Sequence, residues 1–168
     1  MMNILLYPNK LLKMKSEAVF EITEEIRVIL REMYETMTSK NGVGLAAPQV
    51  GIQKRLVVIQ VPDIEPLYMI NPKIINRSND CIIFNEGCLS LPNVYADITR
   101  NAEIDFQYTN MDGEVVTQHA TELLAVCVQH ELDHLEGKLY IDRLSKKKRS
   151  DLVKEFYSKQ ELSKCHIQ

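Results

Sequence analysis

Apolar residues recur along residues 22–40 at the three- and four-residue steps of one helical face: Ile22, Ile26, Ile29, Leu30, Met33 and Met37. Thr23 is a suitable N-cap, Glu24 and Glu25 suit the positive helix start, and Asn41-Gly42 supplies a stop. The period then shortens. Leu56-Val57-Val58-Ile59-Gln60-Val61 and Leu67-Tyr68-Met69-Ile70 are apolar and rich in strand formers. Lys73–Asn76 and Cys81–Phe84 read as a hairpin around Arg77-Ser78-Asn79-Asp80. Ile104–Tyr108 alternates with period two and turns at Met111-Asp112-Gly113 into Val115-Val116-Thr117. Glu86-Gly87-Cys88-Leu89-Ser90-Leu91-Pro92 reads as a turn. A second helix is predicted from Thr121-Glu122 to Gly137, with Leu123, Leu124, Val126, Cys127 and Leu135 inward, and a last one over about 146–164. This order indicates an α+β fold: mostly antiparallel sheets packed around the central helix, flanked by an N-terminal and a C-terminal helix. No repeat or linker divides the chain, so residues 1–145 form the body of one domain and 146–168 its basic C-terminal helix.

Composition narrows the setting. No apolar run approaches the roughly 20 residues of a membrane span. The N-terminus lacks the basic and small-residue marks of an export signal, and four cysteines (Cys81, Cys88, Cys127, Cys165) without framework spacing suggest reduced thiols. A cytoplasmic protein is expected. The formal charge of −3 is unevenly spread. Residues 145–168 carry seven cations (Lys146, Lys147, Lys148, Arg149, Lys154, Lys159, Lys164) against Asp151, Glu155 and Glu161, so that stretch is +4 and the remainder −7. Such a tail suits either an anionic partner such as RNA or a solvated helical face.

The central helix carries the candidate chemistry, Gln129-His130-Glu131-Leu132-Asp133-His134. Residues four apart on a helix lie about 40° apart around the axis and about 6 Å along it, so His130 and His134 can reach one ion. Glu131 lies near enough to touch a water on that ion without being a ligand, the geometry of metal-assisted hydrolysis. A third ligand is required if one position is to stay open for water. Cys127 is seven residues from His134, about 10 Å along the axis, too far for a short side chain. Tyr140 occupies the place of the third histidine of metzincins. Glu155 and Glu161, the thermolysin-like option, sit in the basic tail, and His119 lies too close in sequence to aim well. Cys88, on a glycine-flanked turn, is the best remaining candidate.

Gly42-Val43-Gly44-Leu45-Ala46-Ala47-Pro48-Gln49-Val50-Gly51 marks backbone that approaches something closely. It is not a phosphate loop, because no Lys-Ser/Thr follows the glycines. Together, Gly42–Gln49, Glu86–Ser90 and Gln129–His134 resemble, in order and spacing, the three signature motifs of bacterial peptide deformylases, and the similarity runs from about Tyr7-Pro8 to Asp142-Arg143-Leu144. The resemblance implies hydrolysis of the N-formyl group of N-formylmethionine on nascent chains. It implies Cys88, His130 and His134 as metal ligands, Glu131 as general base and acid, and the Gln49 side chain with the Leu89 N–H as oxyanion donors. It also implies main-chain contacts to an extended peptide from Val43, Gly44 and Gly87, and a methionine pocket lined by Leu123, Val126 and Cys127. The donor set admits Fe²⁺, Zn²⁺, Co²⁺ or Ni²⁺, and the resemblance favours Fe²⁺. Ribosome contact through Lys146, Lys147, Lys148 and Arg149, and a monomeric state, are further expectations. Tyr95 stands where some members carry Arg, and Asn101 where Pro is frequent. The rival readings are a general HExxH endopeptidase and a metal-stabilised module that docks on RNA or the ribosome.

Overall fold

A computed structural model describes the backbone of residues 1–165 and the side chains through residue 162. The Lys164 and Cys165 side chains therefore lie outside the described residues. The first helix, α1, spans Glu24–Ser39, with the Thr23 hydroxyl accepting the Ile26 N–H. Five strands form one antiparallel sheet: β1 (Gly44–Ala46), β2 (Leu56–Ile59), β3 (Leu67–Arg77), β6 (Glu103–Thr109) and β7 (Val115–Thr121), in the spatial order β1-β2-β3-β6-β7. Two more, β4 (Cys81–Cys88) and β5 (Leu91–Asn101), form a separate hairpin. The helix α2 (Glu122–Leu135) carries His130 and His134, and α3 (Lys146–Cys165) is the last element among the described residues. The α+β class and the central position of the HExxH helix are as the sequence implies.

Burial follows the period of two. Leu56 and Val58 of β2 pack toward α1 with Leu30, Met33 and Met37, while Val57 and Ile59 pack toward α2 with Ala125 and Val128. The large sheet is thus sandwiched between α1 and α2. A third cluster joins Leu91, Val94 and Ile98 of β5 to Tyr140, Ile141, Leu152 and Phe156, fixing the hairpin and α3 to the end of α2.

Two strand readings are corrected. Leu67–Ile70 and Lys73–Asn76 are not separate strands: Leu67–Arg77 is continuous through Asn71-Pro72, and the ladder to β6 slips between Ile70 and Lys73. Asn71 takes a left-handed conformation (φ 51°) and its side chain both accepts from the Val19 N–H and donates to the Val19 carbonyl, so the local bulge is satisfied. Lys73–Asn76 and Cys81–Phe84 also do not pair with each other. β3 pairs with β6, and β4 turns at Leu89-Ser90 onto β5 instead. Pro92, Asn93, Asp97 and Arg100 obscure β5 in the sequence, yet Val94, Ile98 and Arg100 of that strand point inward. The segment predicted as a turn over Glu86–Pro92 is therefore the tip of this hairpin.

Candidate metal centre and cleft

The Cys88 thiol comes from the end of β4, and His130 and His134 from one face of α2. One ligand atom from each lies within 4.8 Å of the others, and Cys88 Sγ is 3.3 Å from His134 Nε2. A thiolate and two imidazoles are a donor set for a tetrahedral ion with one open position. His130 is oriented from outside: its Nδ1 is 2.7 Å from Glu86 Oε2, leaving Nε2 free to face the cluster. Its ring stacks on Tyr140, with centroids 6.0 Å apart. Burial acts to lower the His130 pKa, but its hydrogen bonds to Cys88 and Glu86 outweigh it and raise it well above the imidazole range. Burial, reinforced by the charge on His130, pushes His134 well below that range. Of the four buried side-chain atoms without a protein partner among the described residues, two lie here, His134 Nδ1 and Glu131 Oε2. The residues present fit a divalent ion with an adjacent polar ligand.

Beside this cluster opens a cleft of about 410 Å³. Val43, Gly44, Gln49, Gly87, Leu89, Leu123, Val126, Cys127 and Glu131 all line it with Cys88 and His130. Every residue expected to bind substrate or act on it thus faces one space. Burial pushes the Glu131 carboxyl up to about 7, and a cation bound next to it acts in the opposite direction. Gln49, 1% exposed, is held at both ends: Oε1 accepts the Ala46 N–H at 2.9 Å, and Nε2 donates to Ser90 Oγ at 3.2 Å and Cys88 Sγ at 3.5 Å. The amide is therefore fixed with its donor end toward the thiol.

β1 forms an edge of the large sheet. The Val43 carbonyl accepts the Gln60 N–H, and Gly44 pairs opposite Ile59. Antiparallel alternation then turns the Gly44 N–H and carbonyl to the open edge. Between Glu86 and Cys88 the β4–β5 ladder slips, and residues 92–95 of β5 line the cleft on that side. Tyr95, 60% exposed, lies against Gly87, where a Cβ would meet the ring at 2.6 Å. Asn101 stands away from the cleft, its N–H donating to the Gln129 side chain, a bond that proline cannot make.

The alternative ligands are elsewhere. His119 is exposed on β7 against Asp105 and Glu103, and Glu155 pairs with Lys159 on α3. Cys127 is a buried wall residue whose thiol burial pushes up to about 12.

Sequence reasoning did not single out Glu86, Arg100, Asp133 or Arg143. Arg100 Nε and Nη2 donate to the two Glu86 oxygens at 2.7 and 2.8 Å, and Nη1 donates to Asp133 Oδ2 at 2.6 Å. Arg143 grips the same Asp133 with Nε and Nη2 at 2.7 and 2.8 Å. Burial raises both carboxyl pKa values, but the guanidinium bonds, with His130 on Glu86, outweigh it and hold them below the usual range. An arginine in a strand of mixed polarity gives no periodic signal of burial.

Comparison with known proteins agrees with this geometry. The family model described as polypeptide deformylase matches residues 1–150. A peptide deformylase of Wolinella succinogenes is 45% identical over 170 residues, covering 97% of this chain and 99% of the relative. The crystal structure of a Legionella pneumophila peptide deformylase superposes with a TM-score of 0.92 at 33% identity, covering 97% of each chain. That of the Ehrlichia chaffeensis enzyme in complex with actinonin gives 0.91 at 37% identity, covering 94% of this chain and 96% of that one. With the three motifs converging on one cleft and relatives matched along nearly their whole length, the chain belongs to the polypeptide deformylase family.

Proposed function

We propose that this chain removes the formyl group from N-formylmethionyl peptides, the family's reaction, with Cys88, His130 and His134 holding one divalent ion. The observation that carries the assignment is the meeting of those three ligand atoms within 4.8 Å beside a cleft that also receives Glu131 and Gln49. When bound, the ion supplies Lewis acidity, activating water and polarising the formyl oxygen. The remaining work falls to side chains and backbone. Gly44 and Gly87 offer main-chain partners to an extended peptide, and Val43 flanks it at the rim. Leu123, Val126 and Cys127 form an apolar wall for the methionine side chain. Glu131 takes a proton from the attacking water and delivers it to the amine nitrogen as the C–N bond breaks and formate leaves. Gln49 Nε2 and the Leu89 N–H donate to the oxygen that becomes negative at the formyl carbon.

Formate release from formyl-Met-Ala-Ser tests this reading. Glu131→Ala keeps the ion and loses nearly all turnover, whereas Cys88→Ala loses the ion. Full activity in either variant overturns the assignment. A general endopeptidase would cut N-blocked or unformylated peptides and be indifferent to Cys88. A structural metal module would need a fourth protein ligand, and none joins the cluster among the described residues.

Ferrous iron is our reading of the resident ion, on the softness of the donor set and the family likeness. Metal analysis of anaerobically isolated protein tests it, and a preparation fully active with zinc alone contradicts it. No helix among the described residues is long and apolar enough to cross a membrane. Lys146, Lys147 and Lys148 are exposed at the start of α3, while Arg149 is half-buried and pairs with Asp142. The exposed cations support a docking role on ribosomal RNA, which unchanged ribosome co-sedimentation after removal of residues 146–168 would refute.

A further inference from the structure

The aim of His130 depends on a residue from another segment. Its Nδ1–H donates to Glu86, which fixes the tautomer and presents Nε2 to Cys88 and His134. His134 Nδ1 has no equivalent partner among the described residues. Glu86 lies two residues before Cys88 on β4, so this one bond also joins the two ligand-bearing segments. Its carboxylate is in turn clamped by both prongs of Arg100, whose side chain is 1% exposed. The third prong of Arg100 holds Asp133, the neighbour of His134, and Arg143 grips Asp133 from the surface. Arg100 cannot turn without releasing a carboxylate on each side.

Resting on the reading of Cys88, His130 and His134 as metal ligands, we propose that Arg143–Asp133–Arg100–Glu86–His130 is a positioning relay that sets how tightly the ion is held. Arg100 is its centre and Arg143 its solvent-facing end. The planar guanidinium matters because it meets Glu86 with two parallel bonds while keeping a third donor for Asp133. A lysine ammonium is a point charge and cannot hold both carboxylates in those planes. An uncompensated carboxylate in this buried place would swing toward solvent or toward the ion. The relay thus keeps Glu86 on His130 and off the metal position, and keeps α2 in register with β4.

The test is zinc affinity by chelator competition, together with the absorption spectrum of the cobalt(II)-substituted protein, in the full chain. Loss of outer partners of metal-bound histidines typically costs about 10–100-fold in affinity. Arg100→Lys and Glu86→Gln are expected to weaken zinc binding by about that factor and to shift the cobalt bands. Arg143→Gln, at the exposed end, weakens it by about two- to fivefold, and Arg143→Lys recovers part of the loss. If these variants show lower thermal stability but parent-like zinc affinity and cobalt spectra, the network is only a structural staple and the proposal fails. Should the buried variants not fold, Arg143→Gln decides by the same readout, because its side chain is 45% exposed and contacts the relay only through Asp133. Zinc affinity unchanged in Cys88→Ala would instead overturn the ligand assignment on which the relay rests.

Discussion

Gly44 is small because Glu131 occupies the space where its side chain would be: a Cβ at residue 44 would lie 2.9 Å from Glu131 Cδ and 3.1 Å from Cγ. The glycine was expected to admit the substrate backbone, and the outward N–H and carbonyl support that. The structure adds that it also seats the buried carboxylate, so in the proposed reaction one residue would serve both the peptide and the base.

Gly44→Ala is therefore expected to displace Glu131 and lower kcat by about 10², the typical cost of misplacing a reacting group by about 1 Å. Metal content should match the parent. Formate release kinetics with parallel metal analysis measure both, and a kcat within twofold of the parent would show that Glu131 tolerates the methyl.

Gln49 gives a sharper test of charge stabilisation. Gln49→Glu retains an acceptor for the Ala46 N–H but removes the Nε2 donor beside Cys88. Losing one oxyanion donor costs about 10²–10³ in kcat. A rise in KM at constant kcat would instead make Gln49 a ground-state binding residue.

Gly137, just past the end of α2, combines a left-handed φ of 69° with a tight contact: a Cβ would lie 2.7 Å from the Lys13 carbonyl carbon. Gly137→Ala should cost at least about 2 kcal/mol and lower Tm by about 4–8 °C. Calorimetry checks this, and a Tm within 1 °C, where the scale is about 2–4 °C per kcal/mol, would mean the N-terminal segment yields without cost.

Asp142 links stability to pH. Burial works to raise its carboxyl, but the Leu139 N–H, Lys13 and Arg149 outweigh it and hold the pKa below the ordinary 3.8. The folded state thus favours the ionised form. Its contribution is present above pH 3.8 and is lost as pH falls through the depressed folded value. Asp142→Asn should destabilise the protein by about 1 kcal/mol at pH 7 and by progressively less below pH 4. Urea unfolding across that range tests the sign, and a gap that widens on acidification would reverse it.

The sequence by itself determined the three helices, the β6–β7 hairpin and the placing of His130 and His134 on one helical face. The α1 stripe from Ile26 to Met37 and the His130–His134 spacing are set by helical period, and β6–β7 by alternation around Asp112-Gly113, because each depends on neighbours within a few residues. Elimination pointed to Cys88, the helical pattern to Glu131 and the family likeness to Gln49, and all three line the same cleft. Strand pairing lay beyond that reach. Whether β4 joins β3 or β5 turns on which long-range partner buries Arg100, Val94 and Ile98 together, and β5 shows too little apolar alternation to announce itself. The Glu86–Arg100–Asp133 cluster was hidden for the same reason. Charged residues read as solvent-facing until three segments bring opposite charges within 3 Å inside a core, where only paired charges are tolerated. Likewise, the chain shows a glycine at 44, but only the packing of β1 on α2 gives the carboxylate that occupies its place.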